Sequence, residues 1–321
     1  MEYENSNSDL THGPRLRIFG ILRESIKTIK RNAKLLAPVL VLAFLLFSHL
    51  KIAQTKLLEP AANDLSLQLA KNPNLFQSIG NNLNQADYSS AISDIREILF
   101  DKFFIMTFSS IISLLFLIAT VSSSSEAYVA KVIDIKEMIM KIKQSWKKPI
   151  LTIFFMIIIT LGLIFVLTFS FGVISIVATD SLAYMLYGVL SISIVVLGFY
   201  GCAIWIMSLV VSILEDVSGL YAINRALEVM KGKKVQASLI IVLFAIMYGF
   251  SHLLTDAVSS YTLYKWSRLA VSIPFATGLD CALKLLLYVV FTVFYHELKE
   301  RCIEKETKGL YVPIVNAGDQ V

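Results

Sequence analysis

Residues 150–214 carry a single charged side chain, Asp180, in 65 consecutive positions. About 20 predominantly apolar residues are enough for one helix to cross a bilayer, and runs of 18 or more are read as membrane spans. This stretch therefore predicts two spans joined by a turn near Asp180. The rest of the 321-residue chain agrees, being 56% hydrophobic and 17% charged, against about 45–50% and about 25% for an ordinary soluble domain. That balance excludes a typical cytosolic enzyme. Uncharged stretches predict six spans, at about 35–50, 103–121, 150–178, 182–214, 235–255 and 275–295. The expected fold class is all-α: a polytopic membrane helix bundle of about six transmembrane helices with two cytosolic amphipathic connector helices. Residues 1–34 form a basic cytosolic amino-terminal segment, 35–297 the membrane domain and 298–321 a cytosolic tail.

Sidedness follows from the basic residues, which are retained on the cytoplasmic face. The amino-terminal segment, the loops 122–149 and 215–234 and the carboxyl tail together hold 21 of the 29 Lys and Arg residues. The opposite side holds 7, and Lys284 lies inside the sixth span. Both termini are expected in the cytosol. Because 34 residues precede the first apolar run, whereas a secretory signal places its apolar core soon after a short basic segment, the first span is expected to be retained. The endoplasmic reticulum or another endomembrane, rather than the plasma membrane, is the expected location. No N-x-S/T sequon occurs in the chain.

In the loop 122–149, Tyr128, Val132, Ile135, Ile139, Ile142 and Trp146 recur at alternating steps of four and three, the period of an amphipathic helix. Lys131, Lys141, Lys147 and Lys148 fall off that stripe. Together with Trp146 they are the candidate contacts to an anionic lipid surface, the alternative being that the stripe packs on the bundle or on a partner helix. The loop 215–234 repeats the theme, with Leu220, Ile223, Leu227 and Met230 as its apolar face and Gly232 as a carboxyl-terminal cap. Glu215, just before that helix, is placed to cap free N–H groups or to favour the positive end of the dipole. Gly219 permits the turn into the helix. In the long spans Gly162, Gly172, Gly198 and Gly201 are candidate bends, and Gly188, Ser191, Gly198 and Cys202 make a small-residue face expected to contact another helix.

Little points to chemistry. His12, His49, His252 and His296 are dispersed, Cys202, Cys281 and Cys302 form no C-x-x-C pair, and there is no phosphate loop, nucleophile elbow or dinucleotide fingerprint. No metal, cofactor or catalytic residue is expected. The net charge of +5 is explained by membrane sidedness and requires no nucleic acid. The one intramembrane charge pair is Asp280 with Lys284, four residues apart on one helix face, where pairing, snorkelling or a substrate path would each relieve the cost of burial.

The segment 208–234 carries the pattern of a span ending in Glu215, then Gly219, then a short helix containing Arg225 and closed by Lys231-Gly232-Lys233. It resembles a family of uncharacterised plant multi-pass transmembrane proteins that are distantly similar to the membrane domain of glycerophosphoryl diester phosphodiesterases. The basic, Trp-containing segment 141–152 and the layout of a basic amino terminus, one span, a long loop and five further spans are similar to the same group. The resemblance implies a helical membrane fold; with no phosphodiesterase catalytic domain in the chain, the enzymatic label does not carry over. The resulting expectation is a non-catalytic endomembrane protein whose basic cytosolic helices bind membrane lipid or protein partners. The alternative is a small-solute transporter or channel using Asp280 and Lys284.

Overall fold

The computed structural model describes residues 18–71, 85–129, 135–177, 180–261 and 268–310. Every regular element among them is helical. These are α1 (Ile18–Arg31), α2 (Ala33–Lys71), α3 (Gln85–Tyr128), α4 (Ile135–Ser145), α5 (Lys147–Val177), α6 (Asp180–Leu214), α7 (Gly219–Val229), α8 (Lys234–Tyr261), a π-helical turn (Arg268–Ser272) and α9 (Ile273–Leu310). Among the described residues six helices, α2, α3, α5, α6, α8 and α9, are long and apolar enough to cross a membrane. This is the architecture of an integral multi-pass membrane protein. Lipid offers no hydrogen-bond partner, so a spanning segment must satisfy its backbone internally, and a helix does so. Six hydroxyls on these helices follow the same rule: Thr107, Ser110, Thr160, Thr168, Ser170 and Ser193 each donate to the carbonyl four residues earlier, whereas the buried hydroxyls of Ser48 and Thr120 have no partner among the described residues.

The glycines of the long spans do not interrupt them. Both α5, with 31 residues, and α6, with 35, are continuous α-helices. A Cβ placed on Gly188 or Gly198 would meet nothing within 4 Å, so the small-residue face expected to be a helix contact does not pack on another helix there among the described residues. The two helices meet instead through larger side chains, such as Phe171 stacked on Tyr187 with ring centroids 5.6 Å apart.

The chain divides into two compact units. The first comprises Met1–Leu36, Thr120–Ile246 and Leu286–Val321; the second comprises Ala37–Ala119 and Met247–Leu285. In the first unit every residue of 289–295 on α9 is buried. A helix turns about 100° per residue, so seven successive buried positions require protein on all sides, and α9 is the axis of this unit. Other buried positions come from Ile21 of α1, Val121 of α3, Ala203 and Met207 of α6, Ala222 and Ala226 of α7, and Ala237 and Ile240 of α8. Alanines are among them on α6, α7 and α8, where small side chains permit close backbone approach. The second unit buries Ala43, Phe47, Phe116, Leu117, Cys281 and Leu283. There the Phe44 ring lies 3.5 Å from where a Cβ on Gly278 would sit.

Two expectations about the connectors are corrected. The first connector is not one helix: α3 continues to Tyr128, Val132 lies outside the described residues, and Trp146 falls between α4 and α5. The second, α7, buries Ala222, Ala226, Val229 and Met230, while Leu220 is 51% exposed. Met230 is buried as expected, but Leu220 is not, because α7 packs closely on both α5 and α6 through Ala222 and Ala226.

Gly219 adopts φ +65°, and a Cβ there would stand 3.2 Å from the Phe155 ring. An L-residue in the left-handed region costs about 1–2 kcal/mol, and the Phe155 contact adds to it. Gly219→Ala is therefore expected to lower stability by about 2 kcal/mol, whereas Gly188→Ala, in open space on a helix, should be neutral or gain up to about 1 kcal/mol. Thermal unfolding of the two variants in the same detergent measures this, and equal losses would contradict the assignment.

Candidate functional site

Where α6 leaves the apolar run at Leu214, the chain turns within a few residues into α7, and this turn is held from outside. Asp216 takes a left-handed conformation, φ +61°, unusual for a residue other than glycine. Lys148, in the first turn of α5, holds it by lying 2.5 Å from the Asp216 carboxylate and donating to its carbonyl at 2.9 Å. One turn further along α5, Thr152 accepts the Gly219 N–H at 3.0 Å and lies 3.3 Å from Ser212 Oγ, which itself donates to the Val217 carbonyl at 2.8 Å. The N-cap residue Ser218 makes no capping bond with its own side chain. The free N–H at the start of α7 is thus satisfied by a neighbouring helix, as helix ends require.

Glu215 is the centre of the cluster. Its Oε1 accepts the Tyr295 hydroxyl of α9 at 2.7 Å, and its Oε2 accepts Arg225 Nε of α7 at 3.0 Å. Lys299 lies 3.8 Å from Oε1 and donates to the Tyr295 hydroxyl at 3.2 Å. Arg225 also reaches Glu228 at 3.2 Å. One carboxylate therefore joins the end of α6, the middle of α7 and α9. Burial opposes its ionisation, but the hydrogen bonds from Tyr295 and Arg225, with the charges of Arg225 and Lys299, outweigh that and hold Glu215 below the usual carboxylate range. The same bonds to Glu215 and Glu228 hold the Arg225 guanidinium above its usual range.

A second group of ties joins the end of α3 to its neighbours. Ser125 Oγ and His296 Nε2 are hydrogen-bonded at 2.9 Å, and Tyr128 stacks on the His296 ring at 4.8 Å. Glu126 pairs with Lys141 of α4, and Asn32 donates to the Ser123 carbonyl at 2.9 Å. Among the described residues no group of three His, Cys, Asp or Glu side chains is placed to hold a metal ion. The Glu215 carboxylate accepts donors on both oxygens, the geometry of a fastening between helices.

The motif residues thus fall together: Glu215 and Arg225 pair, Gly219 begins α7, and Gly232, with φ +83°, sits in the turn between α7 and α8. Glu215 does not cap α7 as expected, because Tyr295, Arg225 and Lys299 take its oxygens. Of the lipid-surface candidates, Lys131 lies outside the described residues. Lys141 pairs with Glu126 and Lys148 with Asp216. Trp146 and Lys147 are exposed, with the Lys147 ammonium 5.8 Å from the indole centroid. In the second unit Asp280 and Lys284 do not form the expected ion pair; the Lys284 ammonium lies over the Phe47 ring at 4.7 Å. Sequence reasoning missed Thr152, Ser212, Ser125 and above all Tyr295, since no local spacing links position 215 to position 295. The recurrence of Ser208 and Ser212 one turn apart at the end of an otherwise apolar span was the available signal for the hydroxyls.

Residues 9–305, most of the chain, match the family described as Domain of unknown function (DUF8558). The chain belongs to the DUF8558 family. No curated protein and no solved structure matches it. Within this DUF8558 chain the Glu215 cluster ties the end of α6 to α7 and α9 through side chains.

Removing the carboxylate in Glu215→Ala leaves Arg225 and the Tyr295 hydroxyl without their acceptor and is expected to cost about 2–3 kcal/mol, while Tyr295→Phe costs about 1 kcal/mol. The sign of the pH dependence follows from the lowered pKa of Glu215. Its contribution is fully present above the ordinary glutamate value of about 4.3 and is lost as pH falls through the lowered value. Glu215→Gln should therefore be less stable than the wild type at neutral pH, with the gap closing in acid. Unfolding temperatures in detergent across pH read this out, and a gap independent of pH would reject an ionised Glu215.

Proposed function

We propose that this protein is a non-catalytic endomembrane protein, with both termini in the cytosol, whose basic connector helix α4 rests on anionic lipid. The observation that carries this reading is the surface around α4. Ile139, Met140 and Trp146 are 58%, 57% and 42% exposed, and Lys136, Lys143 and Lys147 are exposed beside them. Apolar side chains interleaved with lysines suit the headgroup boundary, where the first enter the acyl margin and the second meet lipid phosphates. Protein partners would occupy the same surface in the second form of this reading. Orientation is supported by the 21 basic residues on one side against 7 on the other. The plant affiliation and the distant kinship to the membrane domain of glycerophosphoryl diester phosphodiesterases rest on the motif at 208–234 and the basic segment at 141–152. The endoplasmic reticulum is the proposed residence.

The test uses the full chain with its native cysteines replaced and an environment-sensitive fluorophore at Ile139→Cys, reconstituted in vesicles with and without phosphatidylserine. The label is expected to be quenched by acyl-chain nitroxide lipid, more strongly when the anionic lipid is present, and Lys143→Glu with Lys147→Glu should abolish that difference. A label that stays in water in both vesicle types overturns the reading. Solute flux in the same vesicles that Asp280→Asn abolishes would favour the transport alternative instead.

A further inference from the structure

Helix α1 is divided into three faces by the advance of about 100° per residue. The first is buried and consists of Ile21, Ser25 and Thr28. Its two hydroxyls are satisfied within the helix, Ser25 by the Ile21 carbonyl at 2.7 Å and Thr28 by the Glu24 carbonyl at 2.9 Å. The second face carries Phe19, 81% exposed, and Ile26, 47% exposed, flanked by the half-buried Ile18, Leu22 and Ile29. The third carries Arg23, Lys27, Lys30 and Arg31, all exposed. Glu24, the one acid of the helix, is paired with Lys27 at 3.4 Å. A helix that only covered the bundle would need the first face alone. The other two, an outward apolar strip and a cationic strip beside it, are left exposed by the described residues.

Position narrows what can cover them. A single residue, Asn32, separates α1 from the first spanning helix, α2. Its N–H donates to the Thr28 carbonyl at 3.2 Å, its own carbonyl accepts the N–H groups of Leu35 and Leu36 at 3.0 Å, and its side chain is tied to the Ser123 carbonyl. The start of the span is therefore fastened directly to the end of α1, and α1 is held within its own length of the bilayer.

We propose that α1 is an interfacial helix, with Phe19 and Ile26 inserted at the acyl boundary and Arg23, Lys27, Lys30 and Arg31 against the phosphates of anionic phospholipid. The occupant is lipid because the two strips match the two layers of that boundary, apolar and anionic, and because the helix is joined to a span. The inference rests on the reading that the basic side of the chain faces anionic lipid, but it assigns a different surface from α4.

The full chain carrying an environment-sensitive label at Phe19→Cys, with its native cysteines replaced, is reconstituted in phosphatidylcholine vesicles with and without phosphatidylserine. Acyl-chain nitroxide lipid should quench the label roughly two-fold more with the anionic lipid, and Arg23→Glu, Lys27→Glu and Lys30→Glu together should return quenching to the neutral-lipid level. Phe19 is solvent-facing, so an unfolding temperature equal to that of the parent chain shows that the variant is folded. A label at position 19 that remains in water while one at position 139 is quenched overturns the α1 assignment alone. Water exposure at both positions overturns the lipid reading as a whole. Shielding at position 19 that rises with protein concentration in detergent and ignores lipid composition identifies a protein contact and also overturns the assignment.

Discussion

Lipid competes for every apolar side chain that a helix presents, so apolar character alone does not draw one spanning helix to another. What remains is close backbone approach and polar ties, and the first unit uses both around a single carboxylate. Glu215 stands just beyond an apolar span, where a partly buried charge is costly unless it is paired and hydrogen-bonded. Tyr295, Arg225 and Lys299 meet that requirement from two other helices. In doing so they set where α7 lies and how the fully enclosed segment of α9 is turned. The need to neutralise one acid at the edge of the bilayer thus becomes a constraint on three helices.

The turn beneath it depends on the same economy of polar groups. Asp216 in a left-handed conformation carries strain, and the lysine that offsets it, Lys148, comes from the first turn of α5. Four residues along, Thr152 accepts the N–H that begins α7. Residues one helical turn apart share a face, so a single edge of α5 both stabilises the turn and caps the next helix. With α7 drawn in on Ala222 and Ala226, its larger side chains are left outside: Tyr221 is 65% exposed and Leu220 51%. At a membrane boundary such exposure is compatible with stability, because the amphipathic helix meets a solvent that is itself half apolar.

The spans were legible in the sequence because crossing a bilayer is a one-dimensional property, set by the length of an uncharged run. Glu215, Arg225 and Gly219 were legible for a related reason, since all lie within one short motif. Tyr295 was not, because it sits in an apolar run where its ring is unremarkable and only folding brings its hydroxyl to Glu215. The buried face of α7 was misread in part: Met230 is buried as expected, but a rule suited to water, under which large apolar residues go inside, misplaced Leu220. Close packing in lipid selects Ala222 and Ala226 instead. The pairing of Lys141 with Glu126 and of Lys148 with Asp216 was missed, because a charge off the apolar stripe carries no sign of the acid that folding brings to it.

That last error bears on what the basic residues do. The rule that places Lys and Arg on the cytoplasmic side concerns which loops are translocated and says nothing of what each charge meets afterwards. In the first unit Lys141, Lys148, Arg225, Lys299 and Arg301 are committed to Glu126, Asp216, Glu215 and Glu297. Each of these meets an acid near the end of a span, so part of their positive charge is balanced within the protein. The exposed Lys136, Lys143 and Lys147 by α4 and Arg23 and Lys30 of α1 are in a different position, standing next to exposed Ile139, Trp146 and Phe19. An exposed lysine alone needs no partner, since water solvates it, and an isolated exposed apolar side chain is ordinary. The two together, repeated on the helix before the first span and on the helix before the third, are the observations on which the proposed lipid contacts of α1 and α4 rest.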